Sequence, residues 1–247
     1  MSPRAIALFV SLVFFIAPIA QSQEIFTYMT HWRVPRASFQ TASEFNKNQS
    51  APSFEKLVAD GTILHWGIDE PLVHSATGHT HGSWFAATSM EGIDKAMSAL
   101  TQGGAGPNPI ADASEAHHDH LMRSLAHGGK TSNIRDGYTR TIIQRVKPGR
   151  GADWIRYARA SFKPVFDALV EDGTILVWEI STDAIHHGDP RARYIWYVTA
   201  DAAGLDKVTA ALAKHRSENP GPNSALRAAS DREGHRDGLS HVHFQHK

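Results

Sequence analysis

The chain has 247 residues, 41% of them hydrophobic and 20% charged, enough to build an ordinary core and inconsistent with a disordered or fibrous protein. Lys+Arg and Asp+Glu balance at 25 each with no block of like charge, which removes the electrostatic footprint that nucleic acid or anionic lipid requires. There is no cysteine, so disulfides, thiolate metal sites and cysteine nucleophiles are excluded, whereas histidine is abundant at sixteen residues.

Residues 1–22 read as a secretory signal, with Arg4 ahead of an apolar core at 5–16 and the small-residue pattern Ala20-Gln21-Ser22 at its end. The expectation is an exported protein, periplasmic or extracellular, with no stable membrane span, because no run approaches the roughly 20 apolar residues a span needs. Residues 25–34 (IFTYMTHWRV) are rich in aromatic and β-branched side chains and stop at Pro35, which predicts a strand. A helix is expected over about 38–59, ending at Asp60-Gly61, where glycine offers the left-handed conformation of a helix cap, and a bend or break is expected at Pro52 and at its counterpart Pro164 in the second copy. Strands follow at 62–68 and 83–88, joined by a long hairpin loop, and then a helix at 92–100.

The same order then returns. FEKLVADGTILHWG at 54–67 recurs as FDALVEDGTILVWE at 166–179, nine of fourteen positions being identical. The offset of 112 residues holds from Phe26/Tyr138 through His74/His186, Trp84/Trp196 and Gly92/Gly204 to Leu100/Leu212. Past the Gly/Pro/Asn loops GGAGPNP (103–109) and NPGPN (219–223), His117-His118-Asp119-His120-Leu121 matches His235-Arg236-Asp237-Gly238-Leu239 at a new offset of 118. With a short strand after each, every copy is βαββαβ. The fold class is α+β: two tandem ferredoxin-like repeats, at 23–127 and 138–247 with a linker at 128–137, packing as an intramolecular α+β barrel.

This element order and the phrases KLVADGTILHW and ALVEDGTILVW resemble the dimeric α+β barrel superfamily from residue 25 to the C-terminus. That superfamily includes the antibiotic-biosynthesis-type monooxygenases and the EthD-like and NIPSNAP-like groups, and the phrases are also similar to exported bacterial proteins of unassigned function. The resemblance implies two ferredoxin-like sheets closing into one barrel. Haem-binding tandem members, the chlorite dismutase-like and dye-decolourising peroxidase-like proteins, are less similar, since no residue aligns with a haem ligand. So many chemistries share the superfamily that fold alone licenses no reaction.

Alternation along the strands places Leu64, Trp66 and Ile68 on one face, with Trp84 and Ala86 expected beside them as the helix-packed core. On the other face fall His31, His65 and His81, a row across adjacent strands about 5 Å apart. Three imidazoles, with His79 as a fourth ligand, suit zinc, copper or non-haem iron, and Asp69, Glu70 and His74 stand near enough to orient them. The competing reading leaves these histidines as hydrogen-bonding groups in a cleft, since a one-residue register error separates the rings. His117/Asp119 and His235/Asp237 read either as a turn or helix end before the final strand or as His/Asp general-base dyads at the barrel mouth.

Three functions remain open on the sequence: a binder of a small apolar or aromatic ligand in the barrel cleft, a monooxygenase-like or metal-dependent oxidoreductase, and a self-association module forming a homo-oligomer. No serine nucleophile elbow, phosphate-binding glycine loop, dinucleotide fingerprint or zincin motif is present.

Overall fold

The computed structural model describes residues 24–73, 78–103, 108–130, 137–185 and 188–246. The proposed signal, His74, His186 and most of the 128–137 linker lie outside them. The first half runs β1 (Phe26–Arg33), α1 (Phe39–Phe45), a π-helical turn (Asn46–Ser50), α2 (Ala51–Ala59), β2 (His65–Pro71), β3 (His81–Ala87), α3 (Met90–Gly103), α4 (Pro109–Ala113) and β4 (Ala116–Gly129). The second runs β5 (Gly137–Val146), α5 (Gly151–Glu171), β6 (Ile175–Asp183), β7 (Ala192–Thr199), α6 (Ala202–Glu218), α7 (Pro220–Ala229) and β8 (Ser230–His246).

The eight strands close into a barrel in the order β1-β3-β2-β8-β5-β7-β6-β4. Each half contributes a four-stranded sheet in ferredoxin-like order, and the seams are β2 with β8 and β4 with β6. Strands β4 and β8, at 14 and 17 residues, are long enough to pair within their own sheet and across a seam. Closure leaves no strand edge exposed. Every neighbouring pair is antiparallel, so β1, β2, β5 and β6 run one way and the other four run back. The β2–β3 and β6–β7 connections therefore open on the same end of the barrel, here called the upper end.

Period-two alternation divides the side chains between an outer, helix-covered face and the barrel interior. On the outside of the first sheet, Trp66, Ile68, Phe85 and Ala87 pack with Phe54 and Leu57 of α2 and Ile93 and Ala96 of α3. Trp178, Ile180, Ile195 and Tyr197 do the same with α5, α6 and α7 in the second half. Inside, Trp84, Val177, Trp196, Val198 and Val242 form the central layer. Trp84 and Ala86 are thus interior residues, not part of the helix-packed core expected from the sequence. The register sets Phe85 opposite Trp66 and Ala86 opposite His65, one residue from the phase assumed, and a slip of one reverses every side chain.

The helix ends follow from local chemistry. Gly61 and Gly173 take φ of 77° and 80°, the left-handed region a glycine enters without steric cost, immediately after α2 and α5. The break near Pro52 is a π turn followed by α2 with its proline in the first turn, whereas α5 continues through Pro164 as one helix of 21 residues. The NPGPN stretch, expected as loop, opens α7: proline in a first turn forfeits an N–H that has no helical partner. Similarly, Pro109 begins α4, whose cap Asn108 accepts from the N–H groups of Ile110 and Ala111. His117, Asp119, His235 and Asp237 lie within β4 and β8, not in a turn before the last strand. Among the described residues no helix is long and apolar enough to cross a membrane.

Candidate functional site in the barrel interior

The upper half of the barrel encloses a cavity of about 650 Å³. Its floor is the central layer: Trp84 and Trp196 meet at 5.1 Å between ring centroids, with Met29, Met122 and Thr139 beside them. Its walls are Ile143 and Tyr194 on the second-half side and His31, His79 and His120 on the first-half side. Pro71, Val73, Gly78 and Asp189, from the two upper connections, edge the mouth.

The imidazoles are packed against each other. His31 and His79 stack at 3.9 Å, His120 meets His31 edge-on at 5.9 Å, and His118 meets His120 at 4.4 Å. Burial, then the neighbouring rings His79, His120, His118 and His117, holds His31 well below the usual histidine range. Burial first, then His120 and His81, lowers His79 to about 4. Both rings are neutral at pH 7 and present a lone pair or an N–H as the ligand demands. Across the cavity the Nδ1 of His120 lies 3.6 Å from Asp183, which also accepts from the Tyr194 hydroxyl at 3.4 Å. Burial, with Asp183 second, pushes the Tyr194 phenol up.

Of the four histidines singled out as metal ligands, the fold brings two together. His31 and His79 share the cavity. His65 is interior but sits at the start of β2, at the lower end, edge-on to Trp84 at 5.7 Å; burial, then His127, lowers it to about 4. His81 points to the outer face, where it is 1% exposed between Phe39, Thr80 and Glu70, with Nδ1 2.9 Å from the Thr80 hydroxyl and Nε2 3.4 Å from Glu70. The expected row of His31, His65 and His81 is therefore split by the same one-residue phase that moved Trp84 inward. Among the described residues no three His, Asp or Glu side chains are arranged to hold a metal ion, so zinc, copper and non-haem iron do not fit this set. Asp69 lines the cavity, while Glu70, on the outer face, accepts from Ser43 at 2.9 Å.

The two His/Asp pairs do form, at 2.8 Å for His117–Asp119 and 3.3 Å for His235–Asp237, but on the outer face of the barrel. His117 stacks on Trp32 at 3.8 Å and lies 2.8 Å from the Thr30 hydroxyl. The first strand of each half supplies the partner: Tyr28 hydrogen-bonds Asp119, and its repeat counterpart Arg140 donates to Asp237 at 2.7 Å. Each aspartate thus ties the fourth strand of its sheet to the first, which accounts for the recurrence without catalysis.

Opposite Trp196 on the neighbouring strand lies a second polar group that sequence reasoning passed over. Glu179, 2% exposed, accepts from Thr27 at 2.8 Å through Oε2. Burial pushes its carboxyl up to about 7, against the lowering effect of hydrogen bonds from Thr27 and Ser181. The signal for it was the last position of the repeated phrase, glycine at 67 and glutamate at 179.

No protein-family model and no curated protein matches the chain. Solved structures do. A candidate monooxygenase from Fusobacterium nucleatum superposes with a TM-score of 0.66 at 10% identity, over 92% of this chain and 95% of that one. A candidate monooxygenase from Lactobacillus acidophilus gives 0.62 at 10% identity, over 89% and 93%. An anthrone oxidase-like protein gives 0.53 at 9% identity, over 91% and 93%. The fold they share with this chain is an α+β barrel, here with eight strands closed within one chain. At these identities the likeness carries the architecture and not the chemistry.

Proposed function

We propose that the upper half of the barrel binds a small, largely aromatic molecule in an exported protein. The observation that carries this reading is the cavity itself: about 650 Å³, within the range of small-molecule sites, with an indole and thioether floor and an imidazole wall. Trp84 and Trp196 offer ring faces for stacking, Met29 and Met122 adapt to an irregular ring edge, and neutral His31 and His79 hydrogen-bond a polar substituent. Export rests on the pattern of Arg4, the apolar residues 5–16 and Ala20-Gln21-Ser22. The direct test is tryptophan fluorescence and ligand-observed NMR against a panel of two-ring aromatic compounds. Saturable binding that is lost when Met29→Trp fills the floor supports the reading, and a panel that fails to bind folded wild-type protein rejects it.

A second reading, an oxidoreductase acting on such a ring, is favoured by the His31–His79 pair. A neutral imidazole beside a bound phenolic hydroxyl accepts a hydrogen bond from it and fixes the ring to be oxidised, while its lowered basicity leaves the proton on the phenol. The names of the structural neighbours, monooxygenase and anthrone oxidase-like, agree with that class of reaction. Oxygen consumption with a bound phenol, lost in His79→Phe, is its test.

A further inference from the structure

The floor of the cavity carries two buried polar atoms that the protein itself leaves unpaired. Thr139 is 5% exposed and Trp196 is 2% exposed, and neither the Thr139 hydroxyl nor the Trp196 Nε1 has a hydrogen-bond partner among the described residues. Both residues line the cavity. They stand on adjacent strands: Thr141 of β5 pairs with Trp196 of β7, which makes Thr139 the diagonal neighbour of Trp196 on the same face. A buried donor without an acceptor is disfavoured, and two side by side at the base of a cavity point to a group that arrives from outside.

The duplication explains why the Thr139 hydroxyl is unpaired. Its counterpart in the first half is Thr27, which donates to Glu179 at 2.8 Å. The counterpart of Glu179 is Gly67 on β2, so across the β2–β8 seam no side chain stands at the equivalent position to accept from Thr139. Divergence at one position thus satisfied one threonine and left the other facing the cavity.

We infer that Trp196 Nε1 and Thr139 Oγ1 form a subsite for a hydroxyl or carbonyl oxygen of the bound ligand. Trp can only donate and Thr can donate, so the shared partner is an acceptor. The oxygen is a neutral one: Glu179 is the cross-strand neighbour of Trp196, the rest of the layer is Met29, Met122, Val198 and Val242, and the two arginines that line the cavity, Arg145 and Arg236, stand farther along β5 and β8 toward its mouth, Arg236 opposite Ile143. The ligand class is therefore a neutral aromatic ring that enters with an oxygen substituent pointing down, and its other end meets the histidine wall. This rests on the cavity being an aromatic-binding site.

The test uses two probes of the same ring, 2-naphthol and naphthalene, titrated into wild type, Thr139→Val and Trp196→Phe by ligand-observed NMR, with circular dichroism to verify folding. Wild type is expected to prefer 2-naphthol by roughly ten-fold, the scale of one well-placed hydrogen bond. Thr139→Val and Trp196→Phe are each expected to reduce that preference to about three-fold or less, the ratio of the two affinities being the readout because any loss of stacking is common to both probes. Equal affinity of wild type for the two probes overturns the subsite. So does a preference that survives in both folded variants, which would place the hydroxyl at the histidine wall instead. Failure of both probes to bind wild type rejects the aromatic-binding reading and the subsite with it, whereas naphthalene binding without a preference rejects the subsite alone.

Discussion

Thr27 donates a 2.8 Å hydrogen bond to Glu179 across the intervening strand β4, whereas their repeat counterparts, Thr139 and Gly67, make no such bond because position 67 has no side chain. One substitution between otherwise similar halves therefore places a buried acid opposite Trp196 on one side and lets the Trp84 ring lie against the backbone of position 67 on the other. The consequences are measurable.

Glu179 has its carboxyl raised to about 7 from 4.5 by burial. A raised folded value means the folded chain holds a proton that the unfolded chain has released between these limits. The associated stability is present below about 4.5 and lost as pH rises through about 7. Glu179→Gln keeps an acceptor for Thr27 and removes the ionisation. Urea unfolding should find the variant more stable than wild type at pH 8, by on the order of 3 kcal/mol, and close to wild type at pH 4.5. A variant that is no more stable at pH 8 would show the carboxylate to be hydrated in the fold.

The histidines work in the opposite direction. His31, His65 and His79 are held neutral by burial, with His65 and His79 lowered to about 4. Their contribution is complete above the unfolded value of 6.5 and is lost as pH falls from there to about 4. Three such groups outweigh one glutamate, so wild type should lose stability between pH 7 and 5, and Glu179→Gln should lose it more steeply. Aromatic binding to the still-folded protein should remain flat to pH 5, since His79 takes no proton until about 4. A midpoint for 2-naphthol binding near pH 6.5 would show that His79 is solvated.

At Gly67 an added Cβ would stand 2.6 Å from the Trp84 ring, whose position is fixed by Trp196 behind it. Gly67→Ala should cost about 1–3 kcal/mol, the range for overpacking, and shift the tryptophan emission as the floor moves. Thermal melts with the same transition as wild type would mean that the indole yields freely and that the floor is softer than its packing suggests.

Asp119 and Asp237 brace partly exposed strands on the outside of the barrel. Replacing both with asparagine should change stability by no more than about 1 kcal/mol, and replacing Asp119, which does not line the cavity, should leave 2-naphthol affinity unchanged. A ten-fold loss of binding would return Asp119 to the site.

Much of this architecture was legible in the chain. The 112-residue offset, Asp-Gly at the end of each first helix and the strand-like runs dictated βαββαβ twice over, because helix caps and hydrophobic periodicity are local properties. The offset also determined that Glu179 has a glycine counterpart. The tertiary structure alone decided which way the third strand faces. Its alternation, Trp84 and Ala86 against Phe85 and Ala87, is apolar on both faces because both are buried, one under helices and one in the barrel, so the pattern holds no phase information. That phase sent His81 outward and kept His31 and His79 together in the cavity. It dissolved the three-histidine row and set an indole N–H beside an unpaired threonine, a relationship that exists only once β5 and β7 are in register.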